Sequence, residues 1–261
     1  MDSTTRGRTA KMAVLAGMLC GVLAANVNAS AKTDLIPKLK SSSVLIIDQN
    51  DSSVLYSRNS DVAAPIASIT KLMTALVVLD AKQPMDERLE ITEAELNLPK
   101  QNVSRLSVGT VLTRDDLMHL ALMSSENRAA HALAANYPGG LRACVAAMNA
   151  KAAALGMRTA HFADPTGLTS ENVASPEDLS KLVIAASRNS VIRDYSTDPS
   201  YTVRVHRHLV EYRNTDNLVK NPSWNIIVQK TGYIAEAGKC LVLDTVIQGR
   251  NVVIVLLDSL G

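Results

Sequence analysis

Aromatic residues are scarce in this sequence: one Phe, one Trp and six Tyr make up 3% of 261 residues, while 47% are hydrophobic. A core of that composition has to be built from Ala, Leu, Val and Ile. Cysteine is scarce too, with three residues in all. The N-terminal apolar run, Met12–Ala25, has 14 residues, too few to span a bilayer comfortably. No cluster of Lys or Arg follows it, so neither nucleic-acid nor membrane-surface binding is expected. There is no low-complexity tract and no internal repeat, and the length suits one domain or two closely packed ones with an ample core.

Arg6, Arg8 and Lys11 precede the apolar run, and Ala29-Ser30-Ala31 follows it as a small-residue cleavage site. Residues 1–31 therefore read as a signal peptide, with an uncleaved anchor as the alternative. Its removal takes away three basic residues and Asp2, which brings the formal charge of +2 to zero. Cys144 and Cys240 then remain, each in an apolar pattern. Two buried free thiols are favoured over a disulfide, and spacing alone does not decide.

The most informative stretch is Pro65–Ala81, reading PIASITKLMTALVVLDA. Pro65 suits the first turn of a helix, where its missing N–H costs nothing. Ile66, Leu72, Met73 and Ala75–Leu79 surround the axis, so a buried central helix is expected. Ser68, Thr70 and Lys71 lie in its first turn, and polar groups are expensive to bury without a task. Ser68 and Lys71, three apart, share a face. A serine hydroxyl beside an amine is a nucleophile beside its base. The helix N-terminus would turn free N–H groups toward an oxyanion formed there. One Ser-x-x-Lys match is also what chance supplies in a chain of this length, so the rest of the chain decides.

Ser43–Gln49 and Ser53–Ser57 read as strands around Asn50-Asp51, a hairpin signal. After the central helix come a polar stretch with Pro84 and Pro99 and a short alternating piece, Val103–Val108. Thr113, followed by Asp115 and Asp116, caps a helix over Arg114–Met123. Further helices are expected over Arg128–Asn136, Leu141–Leu155 and from Ser175-Pro176 to about Arg188. Asp164-Pro165-Thr166-Gly167 reads as a loop. Beyond Pro199 the pattern turns to strands: Tyr201–Arg207, Trp224–Lys230, Cys240–Ile247 and Val252–Leu257. The fold class is α/β (α+β), an antiparallel sheet built from both chain ends (about 40–64 and 195–261). A helical subdomain (about 65–194) is inserted between its two parts.

Lys230-Thr231-Gly232 ends a candidate strand, and its glycine would let another backbone approach closely. A strand edge there could pair with an extended peptide. Ser-x-Asn occurs at Ser57, Ser125, Ser170, Ser187 and Ser223, so position must choose. Ser125-Glu126-Asn127 stands between two helices of the insert. Ser170-Glu171-Asn172 follows a Pro-Thr-Gly loop and reads as surface turn chemistry.

Ser68-Ile69-Thr70-Lys71, Ser125-Glu126-Asn127 and Lys230-Thr231-Gly232, in that order, resemble the three-motif signature of the penicillin-recognising serine enzymes. The stretches VLYSRNSDVAAPIASITKLMTA, ALMSSENRAAHALAANYPGG, MNAKAAALGM, DPTGL and KTGYIAEAGKCLV are similar to the low-molecular-mass D-alanyl-D-alanine peptidases. They look most like the D-alanyl-D-alanine endopeptidases of the penicillin-binding-protein-seven type. The likeness covers most of residues 40–261. It implies a periplasmic enzyme, 32–261 forming a single catalytic unit, that needs no cofactor or metal and acts on peptidoglycan stem peptides. β-Lactam antibiotics would be covalent inhibitors. Such proteins usually continue into a terminal helix over the sheet; this chain stops after the last strand, so that helix is expected to be missing.

Carried over by position, Ser68 would be acylated and Lys71, held neutral by the helix dipole and a nearby Lys230 charge, would take its proton. Ser125 would pass a proton to the leaving amine. Asn127 would bind the substrate backbone, and Lys230 and Thr231 a carboxylate. The N–H groups of Ser68 and Tyr233 would form the oxyanion hole beside Gly232.

Four alternatives compete with this assignment. A D-alanyl-D-alanine carboxypeptidase is closest; Glu126, Tyr233 and the lack of an anchoring C-terminal domain favour the endopeptidase by resemblance. A serine β-lactamase would need a further base. The string Glu93-Ala94-Glu95-Leu96-Asn97 has the letters but precedes the second motif, and reads as surface. A penicillin sensor would sit behind membrane spans. A zinc peptidase would need a third ligand beside His206 and His208, which are expected to share a strand face.

Overall fold

The first and last strands of the described residues share one antiparallel sheet, and helices from the segment between them pack against it. The computed structural model describes residues 38–97 and 104–260; the expected signal peptide lies outside them. The chain divides after Lys38, and every helix and strand of the described residues belongs to the part from Leu39 on.

The N-terminal hairpin is β1 (Ser41–Asp48) and β2 (Val54–Arg58). Asp48 Oδ1 accepts the Asn50 N–H at 2.8 Å, the turn chemistry that the Asn-Asp pair announced. Next come the two-residue β3 (Ala64–Pro65) and α1 (Thr70–Asp80). Then follow β4 (Arg88–Glu90), β5 (Val111–Thr113), α2 (Arg114–Met123), α3 (Asn127–Ala135) and α4 (Gly140–Ala154). β6 (Val173–Ala174), α5 (Pro176–Ser187) and α6 (Ser190–Thr197) complete the insert. β7 (Ser200–Val205) and β8 (His208–Arg213) form a separate hairpin. The sheet closes with β9 (Asn225–Ile234), β10 (Gly238–Ile247) and β11 (Arg250–Ser259), in the order β2-β1-β11-β10-β9. Thus β9, with Lys230-Thr231-Gly232 in it, is an edge strand, and an edge leaves backbone N–H and C=O groups unpaired.

Capping residues set the helices where expected. Thr113 Oγ1 accepts the Asp116 N–H at 3.0 Å, and Asp116 Oδ2 accepts the Thr113 N–H at 3.0 Å, a reciprocal capping box. Ser175 Oγ caps α5 by accepting the Asp178 N–H at 3.3 Å, with Pro176 in the first turn.

The start of the central helix differs from expectation. Pro65 is not helical but pairs with Val173 in a two-residue bridge, and the Ile66 N–H donates to the Asn172 carbonyl at 3.1 Å. Ala67 stands at φ +46°, a value no α-helix accommodates. Ser68 therefore lies on a 3-10 turn, Ala67–Ile69, and the α-helix begins two residues later. From Thr70 to Val78 every residue is buried, with α2, α3, α4 and α5 around it. Burying each Leu or Met there stabilises the fold by about 2 kcal/mol.

The helix α6 and the strand β8 were not anticipated, nor were the short strands β3, β4, β5 and β6. His206 and His208 do not share a strand face: they flank the β7–β8 turn, with His206 at φ +52° and within 2.9 Å of Ser107 Oγ. The Ser104–Val108 part of the expected alternating piece forms no strand. Cys144 and Cys240 are buried free thiols.

Candidate active site

Three elements meet at Ser68. The 3-10 turn presents its hydroxyl, α1 sends Lys71 alongside, and β9 runs over its backbone. That last approach depends on glycine: a Cβ at Gly232 would lie 3.0 Å from the Ser68 amide nitrogen and 3.1 Å from the Ile66 oxygen. The fourth side is the α2–α3 turn, where Ser125 adopts φ +59°, a strained setting for a side chain with Cβ. Together they enclose a cleft of about 540 Å³ lined by Ser68, Ser125, Asn127, Thr231, Gly232 and Tyr233.

Lys71 is the centre of the network. Its Nζ lies 2.8 Å from Ser68 Oγ, 2.6 Å from Asn127 Oδ1 and 2.6 Å from the Thr166 carbonyl oxygen. Burial lowers its pKa to about 7, against the pull of the Asp164 and Glu126 carboxylates. The depression was expected from a Lys230 charge and the helix dipole; desolvation is instead the main cause. Lys230 is also held well below its usual range, first by burial and then by Lys71.

All three contacts are oxygens, so a protonated Lys71 donates to each of them. With its pKa lowered to about 7 the neutral form is also populated; it has two N–H donors for Asn127 Oδ1 and the Thr166 carbonyl and one lone pair for the Ser68 hydroxyl hydrogen. In that form it is a base facing the group whose proton it must take.

Lys230, expected to hold a substrate carboxylate, is fully buried, and its Nζ donates to the Thr231 carbonyl at 2.9 Å. It is not among the residues that line the cleft. Thr231 does reach the cleft, sharing a hydrogen bond of 2.6 Å with Thr215 Oγ1. Tyr233 is exposed at the rim.

Sequence reasoning missed the floor of the site. Asn172, read as part of a surface turn, is fully buried. Its Nδ2 donates to Thr70 Oγ1 at 3.0 Å and the Asp164 carbonyl at 2.8 Å, and its Oδ1 accepts the Ala163 N–H at 2.7 Å. Asp164 in turn accepts from the N–H groups of Thr166, Gly167 and Thr169. This cage aims the Thr166 carbonyl at Lys71. The Asp-Pro-Thr-Gly turn signal was the available clue, though nothing in it indicates which way a carbonyl will point. Glu95, read as surface, is buried, with Oε1 on His131 at 2.8 Å and Oε2 on Thr92. It does not line the cleft, so it offers no deacylating base. Among the described residues, no group of three or more His, Cys, Asp or Glu is placed to hold a metal ion, and no helix is long and apolar enough to cross a membrane.

The chain is similar to known proteins in sequence and in fold. The chain is 50% identical over 226 residues to a D-alanyl-D-alanine endopeptidase of Pseudomonas aeruginosa, covering 86% of this chain and 73% of that one. It is 44% identical over 242 residues to a D-alanyl-D-alanine endopeptidase of Escherichia coli, covering 89% and 76%. The crystal structure of a D-alanyl-D-alanine carboxypeptidase from Mycobacterium tuberculosis is similar with a TM-score of 0.80 at 30% identity, over 88% of this chain and 87% of that one. A family model for D-alanyl-D-alanine carboxypeptidase matches residues 28–260. On its fold, the convergence of its three motifs at Ser68 and these matches, the chain belongs to the D-alanyl-D-alanine carboxypeptidase family.

Proposed function

We propose that the protein is a serine D-alanyl-D-alanine endopeptidase. It hydrolyses D-alanyl cross-links in peptidoglycan through an acyl-enzyme on Ser68, and penicillins trap it at that stage. The observation that carries this reading is the 2.8 Å contact between Lys71 Nζ and Ser68 Oγ, made by an amine whose other two contacts are acceptors. The names of the two relatives support the endopeptidase over the carboxypeptidase.

Neutral Lys71 takes the Ser68 proton as the hydroxyl oxygen attacks the D-alanyl carbonyl carbon. The oxyanion is received by the backbone N–H groups of Ser68 and Tyr233, an arrangement worth about 3 kcal/mol in comparable sites. The C–N bond breaks, and the proton passes by way of the Ser125 hydroxyl to the leaving amine. Water, deprotonated by Lys71, then attacks the ester, and the acid product leaves with Ser68 restored. The edge of β9 pairs with the extended peptide, as in strand addition. A penicillin acylates the same oxygen, but its amine stays tethered and blocks the water.

A peptidoglycan substrate lies outside the cytoplasmic membrane, which supports reading this protein as exported. We read residues 1–31 as the signal that exports it to the periplasm, on the charge, apolar run and small-residue site they contain.

Digestion of purified cross-linked muropeptide dimers tests the assignment. Chromatography is expected to show dimers converted to monomers without a matching release of free D-alanine. Release of D-alanine with the dimers left intact would make the protein a carboxypeptidase.

A further inference from the structure

A buried side chain outside the three motifs touches the supports of both Ser68 and Lys71. Asn172 is fully buried and is not among the residues that line the cleft, so it lies out of a substrate's reach. Its side-chain amide makes four hydrogen bonds. Nδ2 donates to Thr70 Oγ1 at 3.0 Å and to the Asp164 carbonyl at 2.8 Å, and Oδ1 accepts the N–H groups of Ala163 at 2.7 Å and Asp164 at 3.1 Å. A carboxamide has two N–H donors and two acceptor lone pairs, and every one of them is used.

Two chains of contacts start there. Thr70 Oγ1, which accepts from Asn172, donates to the Ala67 carbonyl at 2.7 Å, and the Asn172 backbone carbonyl accepts the Ile66 N–H at 3.1 Å. These bonds hold Ala67, at φ +46°, directly before the nucleophile; backbone strain of that kind persists only where the surroundings over-determine it. On the other side, Asn172 fixes the Asp164 backbone at both its N–H and its carbonyl. The Asp164 carboxylate gathers the N–H groups of Thr166, Gly167 and Thr169, and the Thr166 carbonyl accepts from Lys71 Nζ at 2.6 Å. The turn that presents Ser68 and the loop that supports Lys71 are thereby tied to one carboxamide.

Other side chains of similar size do not reproduce the arrangement. A carboxylate has no N–H for the Asp164 carbonyl, and an alkyl group leaves that carbonyl and two buried N–H groups without partners.

We propose that Asn172 is a positioning residue for acylation, which locks the Ser68 turn to the Lys71 loop and so sets the nucleophile against its base. The inference deepens the peptidase reading above and rests on it.

Rapid-mixing kinetics with benzylpenicillin test it by separating the dissociation constant of the first complex from the limiting rate of acylation. Intact-mass spectrometry gives the fraction of protein acylated at completion. Thr70→Val keeps the shape of the side chain and removes the hydroxyl through which Asn172 reaches Ala67, whereas Thr70→Ser keeps that hydroxyl. The limiting rate is expected to fall on the order of tenfold in Thr70→Val and further in Asn172→Ala, with the dissociation constant within about threefold of the parent's. Thr70→Ser should retain a rate within about threefold of the parent's. The double variant should be no slower than Asn172→Ala alone, because hydroxyl and carboxamide act in series. A purely stabilising role would lower the fraction acylated and leave the limiting rate of the folded molecules as it was. That outcome, or a Thr70→Val rate within about threefold of the parent's, overturns the proposal whether or not Asn172→Ala folds. A parent protein that benzylpenicillin does not acylate would instead overturn the peptidase reading, and this inference with it.

Discussion

Lys71→Met slows acylation of Ser68 by a penicillin by a factor on the order of 10³–10⁴, the full contribution of a positioned general base. Ser68→Ala abolishes acylation. Met fills the space of the buried stem but supplies neither a lone pair for the Ser68 hydroxyl nor donors for Asn127 Oδ1 and the Thr166 carbonyl. Intact-mass spectrometry at fixed times, on protein checked for folding by circular dichroism, measures the effect. A Lys71→Met variant acylated at a rate within tenfold of the parent would remove Lys71 as the base.

Gly167→Ala is expected to be nearly as damaging, although Gly167 touches no substrate. It sits at φ +82°, and a Cβ there would lie 1.9 Å from the Ala67 carbonyl oxygen, 2.4 Å from its carbon and 2.9 Å from Thr70 Oγ1. Ala67 cannot retreat, because it already occupies φ +46° next to the nucleophile. The loop must move instead, carrying the Thr166 carbonyl away from Lys71. A loss of stability above about 4 kcal/mol is expected, together with loss of acylation. Gly156→Ala is the control: it has similar backbone, φ +70°, but open space around the new methyl group, and should cost only about 1–2 kcal/mol. Urea denaturation of the two variants decides; equal costs would mean that the close approach to Ala67 does not matter.

The parts of the fold that were legible in the sequence are those specified locally. Thr113 and Ser175 announced their helices because a cap is a contact between residues two or three apart. The hairpin at Asn50-Asp51 was equally local. The misses are tertiary. α6 is a short polar helix whose Tyr195 is fixed by stacking on His119 at 4.2 Å and by donating to Asp115 at 2.5 Å, partners far away in the chain. β8 follows a His-Arg turn with no Gly or Asn to mark it, its His206 taking the positive φ instead. Pro65 suited a helix start by every local rule, but Asn172, more than a hundred residues on, holds Ile66 out of it.

The site divides along the same line. Ser68, Lys71, Ser125, Asn127 and Thr231 were singled out by short motifs, and the structure brings them together at one cleft. Lys230 belonged to the third of these motifs, yet alternation within β9 turns it inward, a fact visible only once the strand's register is known. Asn172 and Asp164 resembled ordinary turn residues, since their partners are a backbone carbonyl, a threonine hydroxyl and loop N–H groups that no motif encodes.

The central claim is that an uncharged Lys71 amine, emptied of its proton by burial, accepts the hydrogen of Ser68. The second-order rate of benzylpenicillin acylation, followed from pH 5 to pH 9, tests it most directly. Because burial lowers the Lys71 pKa to about 7, the rate should be level above that pH. Below it, the rate should fall by about tenfold per pH unit as the amine is protonated. A rate that stays constant down to pH 5, or that climbs only as pH approaches the value of an ordinary lysine, would contradict the account.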